Sequence, residues 1–487
     1  MLSPFIVIGF IGAYFVSLVV ISRVTARKGS NEEYFIGNRQ SPWYAVAFGM
    51  IGDSLSGVTY ISVPGTVGSA KFSYLQVAMG YVVGYWVIAG VLLPLYYRMQ
   101  LTSIYTYLGW RFGKAAQRTG AFFFVLSRLI GAAARLWLAV NVLQLFVLNK
   151  IGIPFFANVA IVIGLMLVYT YRGGIKTLVW TDAFQSAFLL LGVILSVGAL
   201  IRQLDFGLSD AVIKIFNSRY AQIFFLDPKP KSFFLKQFIA GACIAIAMTG
   251  LDQNMMQKNL SCRTLPEAQK NIISFSIIVL LVNVLFLALG ALLYLFAEAK
   301  GIALPAKSDS LFPMIALNHL GSIAALVFVV GLTAATFNSA DSVLTTLTTS
   351  LYVDFLGLDR KNISEEKKIF YRHTIHITFA VLLFLIIVAF ETLNNKAVID
   401  TVLLLAGYTY GPLLGLFAFG ILTKLNINDN YVPVVGIIAP LLSFLINYLV
   451  NELQPVWLNG YQIGNELLLI NGLITCAALW MLSLFNK

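Results

Sequence analysis

The stretch IISFSIIVLLVNVLFLALGALLYLF, residues 272–296, decides the fold class of this chain. It carries no charged side chain and exceeds the about 20 apolar residues that an α-helix needs to cross a bilayer. A strand of a transmembrane barrel would alternate apolar and polar residues over about 10 positions, and this stretch does not alternate. It therefore predicts a membrane-spanning helix, and with it an all-α membrane protein.

Segments of similar length and hydropathy recur along the whole chain. About 13 of them approach or exceed the length of about 20 mostly apolar residues that a spanning helix needs. They cover residues 3–22, 43–65, 75–97, 119–148, 155–171, 174–202, 235–257, 271–298, 322–353, 369–390, 398–423, 431–450 and 465–484. We expect a single transmembrane domain over residues 1–487, in which 3–22 is an extra N-terminal helix and 431–484 supplies two extra C-terminal helices. No basic segment precedes the first span and no small-residue cleavage site follows it, so we expect a retained helix rather than a signal peptide.

Composition and charge exclude a water-soluble protein. Of 487 residues, 59% are hydrophobic and 11% are charged, against about 45–50% and about 25% in soluble domains. The net charge of +12 does not indicate a nucleic-acid partner, because most Lys and Arg residues fall in alternate loops, as in loops that face the cytoplasm. Lys258, Arg263 and Lys270 form one such group. This distribution predicts an N-terminus outside the cell and a C-terminus inside it.

Glycine and polar residues interrupt two of the spans. The second reads AFGMIGDSLSGVTYISVPG over residues 47–65, and the seventh reads IAGACIAIAMTGLDQNMMQ over residues 239–257. Glycines can simply allow close helix packing, but broken spans at corresponding places in two halves are typical of transporters built from inverted repeats. We therefore expect inverted repeats over 43–202 and 235–423.

The ninth span carries a row of small and oxygen-bearing side chains. In LTAATFNSADSVLTTLTTS, residues 332–350, the positions Ala335, Asn338, Ser339 and Ser342 share one helix face. Hydroxyl groups in membrane helices also join helices together, whereas oxygen ligands suit a hard cation such as Na⁺. Because a carboxylate in hydrocarbon needs a partner, the adjacent Asp341 favours an ion site.

Four further ionisable residues stand out within predicted spans: Asp53, Arg128, Arg135 and Asp182. Such residues cost about 2.5–3.5 kcal/mol each on insertion scales, which makes them functional candidates. Arg128 and Arg135 lie on one helix face, and each could form a salt bridge to Asp53, Asp182 or Asp341. Arg135 could instead hold a carboxylate of a solute. Asp252 lies near a span end, where hydration is the easier explanation.

Several motifs resemble segments of the sodium:solute symporter family, which includes sodium–glucose, sodium–proline and sodium–sialic acid transporters. In chain order they are EEYFIGNRQSPWYAVA (32–47), LPLYYRMQLTSIYTYLGWRFG (93–113), GGIKTLVWTDAFQ (173–185), LDQNMMQKNLSCRTLPEAQK (251–270) and GYTYGPLLGLF (407–417). The resemblance implies a LeuT-like fold, in which ten core helices form a five-plus-five inverted repeat with one helix before it and two after it.

The resemblance also implies binding residues. A Na⁺ site, the family's site 2, would take backbone carbonyls of Gly52, Leu55 and Ala335 and side-chain oxygens of Asn338 and Ser339, although the family usually has Ser or Thr at position 338. A second Na⁺ site would take Asp182, Asp341 and Ser342, with an aspartate where the family has a hydroxyl at 341. Against sialic acid transporters, the solute-contacting positions are Ser54, Ser56, Thr59, Tyr74 and Arg135.

These expectations describe a secondary active transporter that imports a small organic solute, such as a sialic acid, by Na⁺ symport through alternating access. Two alternatives stay open: a proton-coupled carrier that uses Asp341 and Asp182, and a sugar or amino-acid carrier of the same fold. The three histidines, His319, His373 and His376, lack nearby metal-ligand spacing, so we do not expect an enzyme. The expected partners are Na⁺, the solute and the lipid bilayer, with the chain a monomer in the inner, or plasma, membrane.

Overall fold

The computed structural model describes residues 4–25, 31–393 and 398–485, and the regular elements in these ranges are helices. In chain order the α-helices are α1 Pro4–Thr25, α2 Asn31–Ile36, α3 Trp43–Ser54, α4 Gly57–Ala70, α5 Tyr74–Val87, α6 Leu93–Arg98, α7 Thr106–Arg111, α8 Lys114–Phe146, α9 Phe155–Gln203, α10 Leu208–Phe216, α11 Phe234–Ala245, α12 Gln253–Leu260, α13 Leu265–Lys300, α14 Leu311–Asn318, α15 Ser322–Ser350, α16 Glu365–Leu393, α17 Val398–Leu422, α18 Val432–Asn451 and α19 Leu467–Leu484. Short π-helical turns at Ile88–Leu92, Ile246–Gly250 and Leu351–Phe355 continue α5, α11 and α15.

The candidate spans agree with the predicted all-α membrane protein. Ten helices in the described residues are long and apolar enough to cross a membrane, and two bent helix pairs raise the number to 12. The shorter apolar helix Phe155–Tyr171 corresponds to the remaining predicted span. It runs into the next span within α9 through a kink at Gly174, whose φ of 59° suits a residue without a Cβ.

Both spans that the sequence predicts to be broken are broken. Helices α3 and α4 meet at a 53° bend, and α11 with its π-turn meets α12 at a 64° bend. At the second break Asp252 caps α12, because its side chain accepts a hydrogen bond from the backbone N–H of Met255 at 3.1 Å. The breaks leave helix ends, with free backbone groups, inside the bundle.

Helices α5 and α11 pack backbone against backbone. A Cβ added to Gly80 would collide with the carbonyl of Phe238, and one added to Gly241 would collide with the carbonyl of Val77. Small residues permit such close approach in membrane helices. The contact fixes α5 and α11 side by side, and both helices line the cavity described below.

Helix α15 forms the centre of the bundle. Every residue from Gly331 to Ser350 is buried, and α15 packs against α3, α8 and α9. The outer helices attach around it. Ser22 of α1 donates to the carbonyl of Tyr169 in α9 at 2.9 Å, and Asn471 of α19 donates to the carbonyl of Gly407 in α17 at 3.0 Å.

Candidate functional site

A cavity opens at the break between α3 and α4. It encloses about 720 Å³, its mouth included, and its walls come from α3, α4, α5, α8, α11 and α12. All five side chains predicted to contact solute line it: Ser54, Ser56, Thr59, Tyr74 and Arg135. The remaining lining residues are Asp53, Leu55, Tyr81, Tyr85, Arg128, Ile244, Ala245, Met248, Thr249 and Met255.

The two arginines of α8 have different surroundings. Arg128 is buried and pairs with Asp252 at 2.5 Å. Tyr410 also donates to that carboxylate at 2.5 Å. Arg135 is half-buried and lines the cavity, and within the described ranges no ion pair or hydrogen bond of its guanidinium is found. The expected salt bridge of Arg128 to Asp53, Asp182 or Asp341 is thus corrected to Asp252, which is fully buried rather than hydrated.

A buried lysine joins the two carboxylates at positions 53 and 182. Lys258 of α12 forms ion pairs with Asp53 and, at 2.5 Å, with Asp182. Its ammonium also donates to the hydroxyl of Ser342 at 2.9 Å. The expectation that Lys258 lies in a cytoplasmic loop is therefore wrong, since the residue is 1% exposed.

Asp341 lies beside this group but has its own donors. Its carboxylate accepts hydrogen bonds from the Tyr169 hydroxyl at 2.7 Å, the Gln185 amide at 3.4 Å and the Ser342 backbone N–H at 2.5 Å. An arginine partner for Asp341 is absent from the ion pairs of the described residues.

The residues predicted for Na⁺ site 2 lie where the α3 break meets α15. The amide of Asn338 packs against Gly52 so closely that a Cβ on the glycine would lie 2.6 Å from Asn338 Cγ. A Cβ on Gly57, at the other side of the break, would lie 2.8 Å from Thr336 Oγ1. Because α3 ends at Ser54, the last carbonyls of the helix, including that of Gly52, lack helical N–H partners.

One side-chain oxygen at the junction is also free to bind a cation. Asn338 donates through its amide nitrogen to the backbone carbonyl of Asp182 at 3.0 Å. Its carbonyl oxygen is buried and makes no hydrogen bond. Since an unsatisfied buried polar atom is costly, this oxygen fits a Na⁺ ligand. Ser339, the other predicted side-chain ligand, is buried one residue along α15.

Sequence reasoning missed Lys258, the role of Asp252 and the two further tyrosines of the cavity, Tyr81 and Tyr85. One signal was available for the lysine. It follows the break of the seventh span by less than two helical turns, and the acidic residues of the second and sixth spans needed cationic partners. The pairing itself joins residues 205 and 76 positions apart, which hydropathy cannot indicate.

Comparison with known proteins agrees with this architecture. The model of the sodium:solute symporter family matches residues 34–429. The sodium/sialic acid symporter NanT of Aliivibrio fischeri is 24% identical over 458 residues, which cover 88% of this chain and 86% of that protein. The sodium/sialic acid symporter SiaT of Proteus mirabilis is 23% identical over 453 residues, which cover 90% and 88% of the two chains.

A solved structure shares the whole fold. It is a substrate-bound, outward-open Na⁺-coupled sialic acid symporter, and it superimposes with a TM-score of 0.83 at 18% identity. The match covers 100% of this chain and 98% of that one. At this identity the likeness establishes the fold alone.

Proposed function

The chain belongs to the sodium:solute symporter family and is a Na⁺-coupled solute transporter, and from this premise we propose that its solute is an organic anion of the sialic-acid class. The observation that carries the proposal is the charge balance of the cavity at the α3 break. Three charged residues line this cavity: Asp53, Arg128 and Arg135.

Two of these charges are already neutralised by partners. Lys258 pairs with Asp53 and Asp252 pairs with Arg128, whereas Arg135 has no such partner among the described residues. A half-buried guanidinium at a cavity wall favours an anion, and its planar fork suits a carboxylate in a bidentate arrangement. Hydroxyl groups of Ser54, Ser56 and Thr59 along the same wall suit the hydroxyls of a sugar acid.

Two relatives named as sodium/sialic acid symporters match this chain over most of their length, which supports the same solute class. We assign Ser54, Ser56, Thr59, Tyr74 and Arg135 to solute binding. A neutral sugar, which has no carboxylate, would leave the Arg135 guanidinium unpaired in the cavity.

Na⁺ would bind at the junction of the α3 break and α15, through Gly52, Leu55, Ala335, Asn338 and Ser339. Ser54 and Ser56 line the solute cavity on the same break, so a cation that fixes this backbone also fixes the cavity wall. This link is the basis for coupled binding and alternating access between the two sides. One Na⁺ ion that moves inward with a monovalent anion carries no net charge, so the Na⁺ concentration gradient rather than the membrane potential would drive import.

For the cellular setting we propose an inner, or plasma, membrane protein with its N-terminus outside and its C-terminus inside, which acts as a monomer and carries out no chemical reaction. The five-plus-five inverted repeat over 43–202 and 235–423 belongs to the same proposal. The two bent helix pairs, one in each of these segments, support it.

The test is uptake into proteoliposomes that contain the purified chain. We expect N-acetylneuraminic acid to accumulate under an inward Na⁺ gradient and not when choline replaces Na⁺. Arg135→Met should raise KM for the acid about 10- to 100-fold, because a hydrogen bond to a charged group contributes about 1.5–3 kcal/mol. Arg135→Lys should give a KM between those of the wild type and Arg135→Met, since lysine keeps the positive charge but lacks the planar guanidinium fork.

Arg98→Met is the matched control, because Arg98 is exposed at the end of α6 and lies outside the cavity. Its KM should equal that of the wild type. Uptake of glucose or proline, unaffected by Arg135→Met and not inhibited by the acid, would contradict an anionic solute.

A further inference from the structure

Lys258 is enclosed in a way that is unusual for a lysine. Every residue of α12 is buried, and Lys258 Nζ contacts Asp53 in α3, Asp182 in α9 and Ser342 in α15. A lysine ammonium has three N–H donors and no acceptor, so these three oxygens match its donors one to one. The side chain therefore joins four helices of the bundle at a single point.

The position of this ammonium coincides with a predicted Na⁺ site. Asp182 and Ser342 are two of the three residues expected to form the second Na⁺ site, and Ser342 Oγ lies 3.3 Å from Asp182 Oδ2. The third, Asp341, receives its hydrogen bonds from Tyr169, Gln185 and Ser342. A Na⁺ ion held by Asp182 Oδ2 and Ser342 Oγ would compete for the space and the oxygens that Lys258 uses.

Repulsion between the two cations adds to this competition. Burial of a carboxylate without a cation carries a penalty of several kcal/mol. The tethered ammonium of Lys258 is shared by Asp53 and Asp182, and its single charge offsets one of their two negative charges. Two unit positive charges at about 4 Å would repel each other by about 4 kcal/mol in the partly buried regime. This repulsion, together with the use of Asp182 Oδ2 and Ser342 Oγ by the ammonium, disfavours a second Na⁺ ion next to Lys258 Nζ.

We infer that Lys258 is a built-in cation that occupies the second cation site, and that the transporter consequently binds a single Na⁺ ion, at site 2. The inference rests on the proposed Na⁺ site formed by Gly52, Leu55, Ala335, Asn338 and Ser339. In each transport cycle Lys258 stays with the protein, so the solute moves with one Na⁺ ion rather than two.

The lysine also ties the cation cluster to the solute cavity. Asp53 is both a wall of the cavity and a partner of Lys258, while Asn338 of site 2 donates to the backbone of Asp182, the other partner. The fixed ammonium thus connects the wall of the solute cavity to the Na⁺ site without a mobile ion between them.

The experiment is equilibrium binding of radioactive Na⁺ to the purified full-length protein in detergent. We expect one Na⁺ per wild-type chain, and weaker binding of that ion in Ser339→Ala. Lys258→Arg, which retains the charge, should also bind one. Lys258→Ala frees Asp53 and Asp182 and should bind two.

Lys258→Ala leaves two buried carboxylates unpaired and could fail to fold. The double variant Lys258→Ala/Asp53→Asn removes one charge of each sign and leaves Asp182 with Ser342, so it should also bind two Na⁺ ions. In both variants NaCl, compared with choline chloride, should raise the unfolding temperature more than in the wild type.

Two Na⁺ ions per wild-type chain, one of them lost in Asp182→Asn, would overturn the inference. Binding of only one Na⁺ ion by every folded Lys258 variant would also overturn the inference, because Lys258 would then not occupy a cation site. Failure of the proposed Na⁺ site is a different result: one Na⁺ per wild-type chain whose affinity Ser339→Ala leaves unchanged.

Discussion

At the scale of single residues, the interior of this transporter is organised by charged side chains that find partners on distant helices. Arg128 and Asp252 are 124 positions apart in sequence and form a buried pair, to which Tyr410 adds a hydroxyl donor. Asp53 and Asp182 share Lys258. Among the described residues, Arg135 lines the cavity without such a partner, and we propose that it binds the solute.

The Arg128–Asp252 pair leads to a prediction about stability. Arg128→Met should destabilise the protein by about 3–5 kcal/mol, because it leaves the Asp252 carboxylate buried without a cation. The measurement is the thermal unfolding of the purified protein, followed by tryptophan fluorescence. Arg128→Met/Asp252→Asn should recover most of the loss. An unfolding temperature of Arg128→Met equal to that of the wild type would show that the pair is not needed for folding.

At the scale of helices, the breaks and close contacts depend on residues without large side chains. The α3 break lies against α15 at Asn338 and Thr336, where Gly52 and Gly57 leave room for them. Helices α5 and α11 approach at Gly80 and Gly241. In a bilayer the hydrophobic effect contributes little to the association of helices, because lipid tails are as apolar as the side chains. Close packing therefore supplies much of the free energy of helix association.

The contact between α5 and α11 predicts a strong effect of one added methyl group. In Gly241→Ala the new Cβ would meet the backbone carbonyl of Val77, which cannot rotate away. We expect a loss of about 1–3 kcal/mol, as overpacking typically costs, together with a lower affinity for solute because both helices line the cavity.

The matched control is Gly164→Ala in α9, where an added Cβ has no neighbour within 4 Å. Its unfolding temperature should equal or slightly exceed that of the wild type, since alanine favours the helix. If Gly241→Ala behaved like Gly164→Ala in the same unfolding assay, the close contact of α5 with α11 would be contradicted.

At the scale of the whole molecule, the charge excess and the hydropathy pattern describe how the bundle sits in a bilayer. The net charge of +12 arises mostly from loops, and alternate loops carry the larger share of it. Since cytoplasmic loops are enriched in Lys and Arg, we expect the C-terminus in the cytoplasm. Lys258 is counted as a loop residue from its sequence, but it lies in the core. Without it, the loops predicted to face the cytoplasm still carry more Lys and Arg than the loops on the other side.

This orientation can be measured in a bacterial host with two fusions to the C-terminus of the full chain. A green fluorescent protein, which fluoresces when it stays in the cytoplasm, should be bright. Alkaline phosphatase, which needs export to become active, should be inactive at the same position. The reverse pattern would contradict the predicted orientation.

The sequence by itself determined the all-α membrane fold and the positions of both helix breaks, because each depends on local runs of apolar, glycine and polar residues. It also proposed the five solute-binding residues, through a family resemblance, and the structure gathers them around one cavity; their roles stay a prediction. Only the tertiary structure decided which buried charges meet. Lys258 looks like a loop residue, and Asp252 like a hydrated one, until α12 folds back into the bundle. Charge pairing across 76 to 205 positions depends on how the helices are arranged in space, and no local pattern of residues encodes that arrangement.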